Sequence, residues 1–129
     1  MNTAIFFADG FEEIEGLTVV DMFRRAGISI QTVSISDSLT VTGSHDIKVQ
    51  ADCLLKDFDF NTVEMLILPG GMPGTTNLSK CEPLCDALMQ FSRQGHFLAA
   101  ICAAPSILGG LGILNGRVAT CYPGFEKKL

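Results

Sequence analysis

A mostly parallel α/β sandwich is the fold class the sequence predicts, from three short apolar runs that each end at a turn-forming residue and from the helical patterns between them. Residues 4–8 (AIFFA), 65–68 (MLIL) and 97–101 (FLAAI) are continuous apolar stretches of strand length, the pattern of strands covered on both faces. The composition agrees, with 47% hydrophobic and 18% charged residues and a mean hydropathy of +0.35. A length of 129 residues suits one domain, since a core of this size buries about two thirds of the surface of the unfolded chain.

The first run meets Asp9 and Gly10, after which residues 12–26 carry Ile14, Leu17, Val20 and Phe23 at helical spacing. Acidic groups open this segment, and Arg24 and Arg25 close it before Gly27. Residues 28–35 (ISIQTVSI) alternate as a strand does. The chain therefore opens with a β-α-β unit of Rossmann-like topology. Two short strands are expected over residues 39–43 and 47–51, around a Gly43-Ser44 turn. The MLIL strand runs into Pro69, Gly70, Gly71, Met72, Pro73 and Gly74, a loop that turns tightly and leaves its amides uncovered. Ser79 and Glu82 have capping-box spacing before a helix that ends near Gly95. Residues 103–111 are apolar enough for a buried helix, with Pro105 in its first turn. Asn115-Gly116 predicts a turn before a last strand over residues 118–120.

A net charge of -5 and a pI near 4.8 give no basic footprint, so nucleic-acid binding is not expected. No apolar run approaches the length of a membrane span, and the first residues lack the basic and long apolar regions of a signal peptide. A cytoplasmic protein without a membrane partner is expected. Five cysteines, at positions 53, 81, 85, 102 and 121, include no CxxC pair, so neither a disulfide framework nor a metal site is suggested.

In an open parallel sheet, ligands bind outside the carboxyl ends of the strands, which brings residues 9–15, 69–74 and 102–105 together. Cys102, between strand and helix, stands where amides and a helix N-terminus lower a thiol pKa. Burial as a small apolar residue is the competing reading of the same cysteine. Glu12 and Glu13 are expected to face solvent and complement the helix dipole. Glu15, nearer the apolar stripe, can instead point into the crevice as a general acid or base. His45 and His96, the only histidines, are expected in loops or at the surface, away from the crevice. Cys81 and Cys85 read as packing residues, Cys53 carries no signal, and Cys121 and Tyr122 fall near the crevice in a supporting place.

The segments Gly10-Phe11-Glu12-Glu13-Ile14-Glu15, Leu68-Pro69-Gly70-Gly71 and Ala100-Ile101-Cys102-Ala103-Ala104-Pro105 resemble the DJ-1/ThiJ/PfpI superfamily, in particular its DJ-1 branch. The resemblance implies a flavodoxin-like, class I glutamine amidotransferase-like sandwich that forms a homodimer. It implies that Cys102 is the reactive cysteine, that Glu15 hydrogen-bonds it, and that Gly70, Gly71 and Ala103 line an oxyanion pocket. The activities it implies are cofactor-independent glyoxalase III-type conversion of methylglyoxal to lactate, or deglycation. A redox sensor or chaperone-like protein using the same cysteine is the alternative. The chain departs from the family pattern at Tyr122, where many members carry histidine, and at Ala103, where the peptidase branch does. Peptidase activity is therefore not expected. Relatives also continue past the position of Leu129, so the chain is expected to lack C-terminal strands and a helix of the family.

Overall fold

A computed structural model describes all 129 residues of the chain. Strands β1 (Asn2–Phe7), β2 (Ser29–Ser34), β3 (Thr40–Thr42), β4 (Lys48–Gln50), β5 (Cys53–Leu54), β6 (Met65–Leu68) and β7 (Phe97–Ala100) alternate with helices α1 (Glu13–Arg25), α2 (Gly74–Ser79), α3 (Glu82–Gln94) and α4 (Pro105–Gly110). The main sheet has the order β5-β2-β1-β6-β7, and every neighbouring pair in it is parallel. The strand order reverses between β1 and β6, which opens a crevice at the carboxyl ends of these strands. β3 and β4 form a separate antiparallel hairpin in the register Val41 to Val49.

The alternation of β1 divides the core. Ala4, Phe6 and Ala8 face α3, α4 and a buried cluster with Leu66, Leu68, Leu84, Leu88 and Ile107. Ile5 and Phe7 face the other side, with Phe11, Val20, Ile30 and Val41. Phe7 and Phe11 stack with ring centroids 4.4 Å apart. These two layers place β1 and β6 under helices on both faces, as their unbroken apolar sequences require.

Four local expectations are corrected. The buried face of α1 is Glu13, Gly16 and Val20, whereas Ile14 is 75% exposed and Leu17 is also exposed. Gly16 sets this phase, because a Cβ there would meet Phe7 Cε1 at 2.9 Å and Phe11 Cε2 at 3.0 Å. Ser79 does not cap α3. It closes α2, a helix the sequence pattern did not indicate, and its hydroxyl donates to the Thr76 carbonyl at 2.7 Å. Cys81 stands at the N-cap of α3 with no side-chain cap bond. The helix expected over 103–111 begins only at Pro105, because Cys102 to Ala104 are spent on the turn out of β7. Residues 118–120 form no strand. Val118 is fully exposed, and a strand with no ladder partner and no core face to cover has nothing to hold it extended.

The Thr75 hydroxyl on α2 is buried without a hydrogen-bond partner. A lone buried hydroxyl carries a desolvation cost that an isosteric methyl group does not. Thr75→Val is therefore expected to stabilise the protein by about 1 kcal/mol, raising the melting midpoint by roughly 3–5 °C in a calorimetric scan.

Candidate functional site

At the carboxyl ends of β1, β6 and β7 the three loops singled out in the sequence meet around Gly70. The Gly70 amide donates to Glu15 Oε1 at 2.9 Å, and the Gly70 carbonyl accepts from the Glu12 amide at 2.9 Å. A Cβ on Gly70 would lie 2.7 Å from Cys102 Cβ, 2.7 Å from Glu15 Oε1 and 3.0 Å from the Ile101 carbonyl. The missing side chain is thus what lets the thiol and the carboxyl group come together. Gly71, at φ +92°, packs against the Phe11 to Glu12 backbone, where a Cβ would meet the Glu12 amide nitrogen at 2.3 Å.

Cys102 is in the left-handed region at φ +64°, a conformation that costs a non-glycine residue of this kind about 1–2 kcal/mol. The strain turns the chain from β7 towards α4 and presents the half-buried thiol to a cavity of ≈350 Å3. Glu15, Cys102, Pro105, Cys121 and Tyr122 line this cavity. Larger cavities lie elsewhere, beside Ser92 and His96 and beneath Phe58 and Phe60, and no cysteine lines them.

The thiol pKa is raised above its ordinary value rather than lowered, which corrects the expectation from helix position. Burial is the largest cause, followed by the hydrogen bond and the negative charge of Glu15. The amides of Ala103 and Gly71 act in the opposite sense and are outweighed. The helix contributes little because α4 starts at Pro105 and is only six residues long. In this arrangement Cys102 is a protonated thiol beside a carboxylate that can take its proton, with two amides facing the sulfur.

Tyr122 lies on the cavity wall, and its amide donates to the Cys102 carbonyl at 2.8 Å. Cys121 lines the same cavity. Cys81 is half-buried against the α3 side of the core, and Cys85 Sγ faces the Ser79 carbonyl at 3.5 Å. Cys53 sits on the outermost strand β5, at the opposite edge of the sheet from β7. His96 packs on the Phe91 ring, away from the site.

Glu13 is the residue the sequence misplaced. It is 3% exposed, with Oε2 accepting the amides of His45 at 2.9 Å and Ile47 at 3.2 Å. Its Oε1 lies 3.1 Å from His45 Nδ1. Burial pushes its pKa up, but hydrogen bonds from its own amide, the His45 ring and amide and the Ile47 amide outweigh this and lower it to about 2. The His45 pKa is raised, first by the Glu13 hydrogen bond and then by the charges of Glu12 and Glu13. Glu13 thereby fastens the turn between β3 and β4 to the start of α1, one helical residue from Ile14 and two from Glu15. The same turn is held by the Ser44 amide on the Phe11 carbonyl at 2.8 Å and the Thr42 amide on Asp9 Oδ1 at 3.0 Å.

Glu13→Ala leaves the amides of His45 and Ile47 without their acceptor and is expected to cost about 2 kcal/mol, read from urea unfolding at pH 7. Because the folded pKa lies below the ordinary 4.5, the wild-type contribution is complete above that pH and fades as the pH falls through 4.5 towards 2. The variant should lose that part of its acid sensitivity.

The sequence profile of the DJ-1/PfpI family matches residues 1–129. The chain is 38% identical to Protein DJ-1 homolog B of Arabidopsis thaliana over 123 residues, which are 95% of this chain and 28% of that protein. The chain thus spans little more than a quarter of that plant relative. It superposes on the structure of oxidised Toxoplasma gondii DJ-1 with a TM-score of 0.95 at 33% identity, covering 99% of this chain and 70% of that one. A Caenorhabditis elegans protein named glutathione-independent glyoxalase is 31% identical over 92% of this chain and 62% of its own length. A Pyrococcus abyssi protein named deglycase is 29% identical over 100% of this chain and 76% of its own length. No helix of the chain is long and apolar enough to cross a membrane.

Proposed function

Since the chain belongs to the DJ-1/PfpI family, we propose that it is a cysteine-dependent, cofactor-independent enzyme that converts small reactive carbonyls such as methylglyoxal to hydroxy acids. The observation that carries this reading is the meeting of the Cys102 thiol, the Glu15 carboxyl group and the amides of Gly71 and Ala103 around Gly70, beside an accessible cavity. The names of the worm and archaeal relatives agree with carbonyl chemistry of this class.

In the proposed reaction, Cys102 sulfur attacks the aldehyde carbon of methylglyoxal as Glu15 takes the thiol proton. The new C–S bond gives a hemithioacetal, whose oxygen is held by the Gly71 and Ala103 amides while its negative charge develops. Glu15 protonates that oxygen. As a carboxylate again, it removes the proton on the former aldehyde carbon and returns it to the neighbouring carbon through an enediolate, while the hydroxyl proton of the first carbon passes to the oxygen of the second. The substrate is oxidised at one carbon and reduced at the next, so the electrons balance within it. Water then cleaves the resulting lactoyl thioester, releasing lactate and restoring the thiol. A deglycase reaction would start from the adduct of the aldehyde with an amine or thiol: Cys102 sulfur displaces that group, the C–N or C–S bond of the adduct breaks, the released amine or thiol takes the Cys102 proton from Glu15, and the remaining steps are the same.

A non-catalytic redox role is the second reading, favoured by the placement of the Glu15 carboxyl group beside the sulfur, where its protonated form can donate to a Cys102 sulfinate. Lactate formation from methylglyoxal by the folded chain, under reducing conditions without glutathione, separates the two. Turnover supports the enzyme. A folded chain that makes no lactate rejects it.

A further inference from the structure

We infer that Cys102 and Cys121 form a reversible disulfide on exposure to a hydroperoxide, with Cys121 acting as the resolving thiol. The two cysteines line one cavity, both half-buried and both free. The other three cysteines lie away from it, on β5 and at the start of α3.

The backbone brings the pair within range. The Tyr122 amide is bonded to the Cys102 carbonyl at 2.8 Å, and standard backbone dimensions then keep the Cα atoms of residues 102 and 121 within about 7.6 Å. That limit applies to a straight path. The bends at the carbonyl and at the amide shorten it towards the roughly 4.4–6.8 Å span of disulfides. Residues 118–120 form no strand, and Val118 has no buried contact, so the Cys121 side can make the remaining adjustment without breaking a ladder. The cavity is open to solvent and Cys102 in its wall is only half-buried, which admits a small hydroperoxide.

The chemistry balances without a further reactant. Glu15 takes the Cys102 proton as the sulfur attacks the peroxide, the O–O bond breaks, and the alcohol or water that leaves carries that proton away. Cys102 is then a sulfenic acid. The Cys121 thiol attacks its sulfur, the S–O bond breaks and water departs with the Cys121 proton. Two thiols are oxidised, and the peroxide is reduced. The disulfide keeps Cys102 from advancing to the irreversible sulfinate and withholds the thiol from carbonyl chemistry until a reductant returns it. This inference rests on the reading of Cys102 as a reactive thiol, and it is independent of the carbonyl reaction.

The test treats the reduced chain and its Cys121→Ser variant with a few equivalents of hydrogen peroxide, and maps the unreduced peptides by mass spectrometry. In the wild type the main product should be a linked pair of peptides holding Cys102 and Cys121, reversed by dithiothreitol. In Cys121→Ser, Cys102 should instead gain two oxygens. Equal conversion of Cys102 to sulfinate in both proteins, with no linked peptide, overturns the disulfide while leaving the reactive thiol in place. Oxidation of other cysteines with Cys102 untouched overturns both. Lactate formation measured on the reduced wild-type chain before peroxide is added reports the carbonyl reaction separately.

Discussion

Cys102→Ala is expected to lower methylglyoxal conversion by at least about 10⁴-fold, and Glu15→Gln by about 10²–10⁴-fold. The alanine removes the atom that bonds to the substrate, so what remains is binding in a cavity with no nucleophile. The glutamine keeps the size of Glu15 and can still accept from the Gly70 amide, 2.9 Å away in the wild type. It cannot take the thiol proton. Because the Cys102 pKa is already raised, little thiolate forms near neutrality without a base, and the loss falls on kcat more than on KM. Initial rates of lactate formation over a range of methylglyoxal concentrations check both variants. A Glu15→Gln protein with wild-type kcat would remove the carboxylate from the mechanism.

Gly70→Ala should lower kcat/KM by about 100-fold, although the substituted residue takes no part in bond making. The added methyl group has Cys102 Cβ and Glu15 Oε1 both at 2.7 Å and the Ile101 carbonyl at 3.0 Å. All three atoms are fixed, two of them by the elbow at Cys102 and one by the Gly70 amide itself. Something must move, and each available movement separates the thiol from the carboxylate. The far-ultraviolet circular dichroism of the variant should match the wild type, since β6 and its pairing with β1 and β7 end before residue 70. An alanine variant with unchanged kcat/KM would show that the close approach at Gly70 has no part in the reaction.

The strands of this fold were legible because buried parallel strands need no alternation. The runs at β1, β6 and β7 are apolar throughout, and each ends on a residue that turns the chain. The hairpin of β3 and β4 was likewise visible from its Gly43-Ser44 turn. The phase of α1 was not. Its buried face holds Gly16 and Glu13, neither of which a hydrophobic stripe credits, while Ile14 and Leu17 complete the stripe on paper and face outward. Glu13 is buried by the turn of residues 43–47, some thirty positions further along the chain, and its partners there are mostly backbone amides that no side-chain pattern reveals. Residues 118–120 show the converse limit: strand-forming composition specifies a strand only where a neighbouring strand completes the hydrogen bonds.

The site was legible in its members and less so in its electrostatics. Cys102, Gly70, Gly71 and Glu15 were singled out from the crevice rule and from family likeness, and the structure gathers them. Glu15 reached the crevice for a reason other than the one the stripe suggested, since the stripe itself was out of phase. The direction of the Cys102 shift is not legible, because the position after a strand implies a helix N-terminus at the sulfur and hence a lowered pKa, whereas the pKa is raised. In the structure the helix starts three residues later, and burial, followed by the carboxyl group of Glu15 beside the thiol, raises its pKa.

The pairing of the Cys102 thiol with Glu15 is tested most directly by the pH dependence of Cys102 alkylation in wild type and Glu15→Gln, with the site of iodoacetamide labelling resolved by peptide mass. A raised thiol pKa means that reactivity appears only as the pH rises past the ordinary thiol range. Removing the Glu15 charge removes one of the causes that raise it, so the midpoint of the variant is expected to move to lower pH. A midpoint that stays in place, or rises, would contradict the pairing of Cys102 with Glu15.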